Sequence, residues 1–92
     1  MEIEERLRWW VLHKMIWHTW VGKRHISIDN IPKGQAKHLH KIIKKIIKEL
    51  RKEGLVIFKP THYGIEVSLN PRRIEEIIKY VEENEPKFGR KR

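Results

Sequence analysis

Cysteine is absent from the 92 residues, which excludes disulfides, thiolate catalysis and cysteine-ligated zinc. Aspartate is nearly absent: Asp29 stands alone, and a helix cap accounts for it. There is no glycine-rich phosphate loop, no nucleophile beside a base and no convergent acid pair, so neither an enzyme nor a cofactor is expected. Long hydrophobic runs are missing too. The apolar-rich stretch 9–21 is broken by His13, Lys14 and His18 and is too short to span a bilayer. Glu2, Glu4 and Glu5 occupy the place where a signal peptide needs positive charge, so the expectation is a cytoplasmic protein. Internal repeats and low-complexity linkers are lacking as well.

What is present is positive charge in one place. The formal net charge is +9, yet residues 1–21 are neutral and residues 60–92 carry only one excess base. Residues 22–59 hold eleven bases against Asp29, Glu49 and Glu53, and such a patch argues for a binding surface rather than general solubility. Abundant Lys, Glu and Ile with no Cys also fits a thermophile.

The patch has helical order. The spacing predicts a helix over 35–53, closed by Gly54, with Ala36, Leu39, Ile42, Ile43, Ile46, Ile47 and Leu50 on one side. Lys37, Lys41, Lys44, Lys48 and Lys52 fall on the opposite side, flanked by Lys45 and Arg51. A lysine ridge without interleaved acids suits a polyanion, and nucleic acid is the first partner to consider. Lysine is a point charge fitted to phosphates, whereas base reading favours Arg, Asn and Gln. The exposed face has almost only Lys, with Gln35, His38 and His40 near its start.

Around this helix, a first helix is expected over 3–20, ended by Gly22, with two apolar faces. Leu7, Trp10, Val11 and Trp17 form the face assigned to the core. Trp9, Ile16 and Trp20 lie on the second face and are the candidate dimer or partner interface, with a base-stacking platform as the other use of the tryptophans. A short strand is expected over 25–28 and one helical turn over 31–33, capped by Asp29 or Asn30. Strands 55–59 and 65–69 form a hairpin around Pro60 to Gly64. A last helix over 71–83, with Asn70 as cap, ends before Glu85-Pro86. Residues 1–83 then make one domain and 84–92 a basic tail, either solvating or phosphate-binding. Six histidines raise a metal reading, but His38 and His40 point to different sides and His13 and His18 are five apart, so no metal is expected.

The element order and the segment IKELRKEGLVIFK, Ile47 to Lys59, resemble the winged helix-turn-helix superfamily: mostly α with a small antiparallel hairpin or sheet, α-β-α-α-β-β-α. The resemblance spans residues 3–82. It implies that 35–53 is a recognition helix and Pro60 to Gly64 a wing tip, with the helix before it reduced to one turn and the wing short. The implied contacts are Lys33, Gln35, Lys37, His38, His40, Lys41, Lys44, Lys45, Lys48, Lys52, Lys59 and His62. The function expected is non-enzymatic binding of double-stranded DNA by a transcription- or chromatin-type factor. An RNA-binding or ribosome-associated protein, or an adaptor docking through the first helix, remains open.

Overall fold

A computed structural model describes residues 2–89. It contains three helices, α1 (Glu2–Trp17), α2 (His40–Lys52) and α3 (Ile74–Phe88), and three strands, β1 (Ile26–Ser27), β2 (Val56–Thr61) and β3 (Gly64–Leu69). Short 3-10 turns lie at Ile28–Asn30, Lys37–Leu39 and Pro71–Arg73. The architecture is mostly helical with one antiparallel sheet in the order β1-β3-β2.

α1 opens with Glu2, Glu4 and Glu5, which complement the positive end of its dipole. It is sandwiched between α2 and α3. Leu7, Val11, Leu12 and Met15 are fully buried among Ile43, Ile47, Leu50 and Ile77, which is how a helix apolar on two sides is satisfied. α1 ends at Trp17, earlier than Gly22 suggests. The Trp20 amide donates to the Met15 carbonyl at 2.9 Å and the Thr19 amide to Ile16 at 2.9 Å, with Thr19 at φ 56°. That is a Schellman closure built on a β-branched residue, a costly occupant of the left-handed region. Tertiary bonds hold it there: Leu69 donates to the Trp20 carbonyl at 2.8 Å and Gly22 to the Leu69 carbonyl at 3.0 Å. Trp20 therefore lies beyond the first helix.

α2 ends in the same motif at the position its sequence announces. Leu55 donates to Leu50 and Gly54 to Arg51, both at 3.0 Å, with Gly54 at φ 85°. The chain enters β2, which pairs with β3 from Val56↔Leu69 to Thr61↔Gly64. The hairpin turn is tighter than the five residues expected, since Pro60 sits within β2 and only His62 and Tyr63 separate the strands. β2 is an edge strand, where a missing amide donor is tolerated. Thr61 Oγ1 locks the turn, accepting from the Tyr63 amide at 3.1 Å and donating to the Gly64 carbonyl at 2.9 Å.

Three other boundaries differ from expectation. Ser27, rather than Asp29 or Asn30, caps the short turn, accepting from the Asp29 amide at 3.2 Å, and that turn is residues 28–30 rather than 31–33. Residues 37–39 are 3-10, so α2 proper begins at His40. α3 runs through Pro86 to Phe88, because Phe88 packs back on Trp9 with ring centroids 6.2 Å apart. Residues 84–88 are thus helix rather than tail, and Arg90, Lys91 and Arg92 lie outside the described residues. Asn70 caps the start of this segment as expected, accepting from the Arg72 amide at 3.0 Å.

A bidentate pair ties α1 to the end of α2: Arg8 donates to both carboxylate oxygens of Glu53, at 2.9 and 2.7 Å. The hydrogen bonds from Arg8 hold the Glu53 carboxyl below its ordinary pKa. An acid whose folded pKa is depressed contributes stability above its unfolded value, about 4.3, and loses it as pH falls through the folded pKa. Glu53→Gln should therefore cost less than about 1 kcal/mol at pH 7, since the pair is solvent-screened. The deficit should shrink towards zero below about pH 4. Thermal melts of both proteins at pH 7 and pH 3 check this, and a pH-independent gap would show that the carboxylate charge is not what matters.

Candidate nucleic-acid interface

α2 divides cleanly. Ile43, Ile46, Ile47 and Leu50 are buried, while Lys41, Lys45, Lys48 and Lys52 are exposed on the opposite side. Among the described residues, no carboxylate lies within ion-pair distance of these four. From Lys41 to Lys52 the helix rises about 16 Å.

Lys44 leaves the ridge. Its ammonium pairs with Asp29 Oδ1 at 2.5 Å, joining α2 to the 3-10 turn Ile28–Asn30. Neither spacing nor composition reveals this pair, because Asp29 lies fifteen residues upstream and only the fold brings it there. Lys37 and His38 are exposed but sit on the 3-10 turn before α2. Gln35 and His40 are half-buried, and the His40 ring is engaged by the Gln35 backbone, its Nε2 lying 3.0 Å from the Gln35 main-chain carbonyl. That contact organises the helix start and leaves His40 poorly placed to read a base.

At the other end α2 meets the hairpin. Lys48, Arg51 and Lys52 line a groove of about 420 Å³ with Phe58, Pro60 and Ile65. The Arg51 guanidinium lies 5.0 Å from the Phe58 ring centroid. Arg51, Phe58, Pro60 and Ile65 were not among the expected site residues, since the groove exists only once β2 folds back on α2. Lys59 is exposed and sits opposite Glu66 in the strand register, away from the ridge on α2. His62 is exposed at the hairpin tip beside Tyr63, which is 99% exposed. Tyr63 was legible as a turn residue and is the more prominent side chain there.

Lys33 is exposed in the turn between the 3-10 segments, and Lys14 of α1 fixes that turn. The Lys14 ammonium donates to the Ile31 carbonyl at 3.0 Å and the Lys33 carbonyl at 2.5 Å, and lies 4.9 Å from the Trp10 ring centroid. Burial, with the Lys33 charge adding to it, lowers its pKa.

The tryptophan assignment is reversed in part. Trp9, expected at an outer interface, is 4% exposed, and its indole N–H donates to the Val81 carbonyl of α3 at 3.0 Å. α3 itself covers the face on which a partner was expected. Trp17, expected in the core, is 75% exposed because it ends α1 beyond its neighbours. Trp10, Ile16 and Trp20 are half-buried, Trp20 stacking on His18 at 4.4 Å. Among the described residues, no group of three or more His, Asp or Glu is placed to hold a metal ion, and no helix is long and apolar enough to cross a membrane. Comparison with family profiles, curated proteins and solved structures finds no match.

Proposed function

We propose that this is a non-enzymatic, winged helix-turn-helix protein that binds double-stranded nucleic acid, DNA in the first place, in a transcription- or chromatin-type role. The observation that carries the reading is the unpaired, exposed set Lys41, Lys45, Lys48 and Lys52 on a helix whose other side is core. The element order supports α2 as recognition helix and the β2–β3 hairpin as a wing. The groove lined by Lys48, Arg51 and Lys52 adds cations where helix and hairpin converge. Duplex DNA carries one charge per about 1.7 Å of axis, so phosphates are dense enough to meet every lysine along α2. The four exposed side chains of the ridge are all Lys, which favours backbone contact over base reading.

The test is direct titration of random-sequence duplex DNA and duplex RNA between 50 and 200 mM salt. Four phosphate contacts give a log–log slope near −4, about a hundredfold loss of affinity across that range. Preference among DNA sequences should stay below about 10³-fold. A slope near zero, or no binding at 50 mM salt, defeats the reading. Tighter binding of duplex RNA transfers it to an RNA or ribosomal target.

A further inference from the structure

Trp17 poses a question that duplex binding does not answer: a large indole left three-quarters exposed at the end of α1. It borders a cleft of about 390 Å³ lined by Trp10, His13, Lys14, Trp17, Lys33 and Gly34. The rings are ordered. Trp9 stacks on His13 at 4.6 Å and 18°, and His13 on Trp17 at 6.3 Å and 22°, so a near-parallel column runs outward from the buried Trp9. The ionisable groups lining the cleft are His13, Lys14 and Lys33, with no carboxylate among them. Lys14 is spent on the Ile31 and Lys33 carbonyls, which stiffens the cleft wall, whereas the Lys33 side chain is exposed.

We propose that this cleft takes an unpaired nucleobase, stacked on Trp17, with its phosphate against Lys33. The proposal rests on the nucleic-acid reading above and adds a single-strand site to it. The segment 29–33 links the cleft to the basic helix. The segment 29–33 is held from one side by Lys14 of α1 and from the other by Lys44 of α2 through Asp29. In this proposal a strand leaving a duplex seated on α2 runs past that segment to Lys33 and then Trp17. An aromatic face beside unopposed cations is the arrangement that binds single strands without sequence preference. A second copy of the chain fits less well, because a two-fold contact through Trp17 brings the basic rims together.

The experiment compares a blunt DNA duplex with the same duplex bearing a six-nucleotide single-stranded tail, by fluorescence anisotropy, for wild type, Trp17→Ala and Trp17→Phe. Wild type should prefer the tailed duplex by about 5- to 150-fold, the range of one stacked base. Trp17→Ala should lose that preference while keeping its blunt-duplex affinity, and Trp17→Phe should retain most of it. Blunt-duplex binding with no tail preference, or a preference that survives Trp17→Ala, overturns the single-strand site and leaves the duplex reading standing. No binding to either DNA defeats both. Loss of wild-type self-association in Trp17→Ala on sedimentation, without a tail effect, assigns the cleft to a second copy and overturns the proposal.

Discussion

Trp9→Ala is expected to cost about 3–5 kcal/mol of folding stability, the range for truncating a buried tryptophan. The ring fills the seam between α1 and α3, packs against Phe88 and His13, and anchors through its N–H to the Val81 carbonyl. Small domains have roughly 5–15 kcal/mol in total, so the variant sits near the edge of folding. Trp17→Ala, at the other end of the same aromatic column, should change stability by no more than about 0.5 kcal/mol, as a surface substitution. Trp9→Phe separates the two parts of the effect. It keeps most of the apolar filling but removes the donor, whose net contribution is about 0.5–1.5 kcal/mol. Urea denaturation of the three variants against wild type measures all of this. Equal losses for Trp9→Ala and Trp17→Ala would mean that α3 does not close over α1 as described.

The contrast between those two tryptophans shows where sequence reading stops. Helical periodicity groups Trp9, Ile16 and Trp20 on one face and Trp10 and Trp17 on another, but it does not say how far the neighbouring helices extend. α3 already reaches Trp9 at Val81, whose carbonyl accepts the indole N–H; continuing through Pro86, it adds the ring of Phe88. The end of α1 was illegible for a related reason. Thr19 has poor left-handed propensity, and strand β3 holds it there through Leu69. By contrast, the end of α2 was legible in detail, since Gly54 supplies the backbone freedom and the alternating strand follows at once. Interactions set within a turn or two of chain can be read. Those set by a distant partner, such as Asp29 with Lys44 or Trp9 with Val81, cannot.

The pairing of Lys44 sharpens the decisive binding experiment. Changing Lys41, Lys45, Lys48 and Lys52 together to Gln should lower duplex affinity by a factor on the order of 10³ at 0.1 M salt, if counterion release is the whole of each contact. The salt slope should fall from about −4 towards zero at the same time. Gln has nearly the helix propensity of Lys, and all four side chains are exposed, so the melting temperature should hardly move. Glutamate is the poorer choice here: new acids at 48 and 52 would join Glu49 and Glu53 near the negative end of the α2 dipole and confuse binding with stability. Lys44→Gln is the matched control. It removes a charge from the same helix, but one already engaged by Asp29, so affinity should change far less than for Lys41→Gln or Lys48→Gln. If Lys44→Gln weakens binding as much as its exposed neighbours do, net charge rather than the ridge attracts the nucleic acid. If the fourfold variant binds as wild type does, α2 is not the surface that meets it.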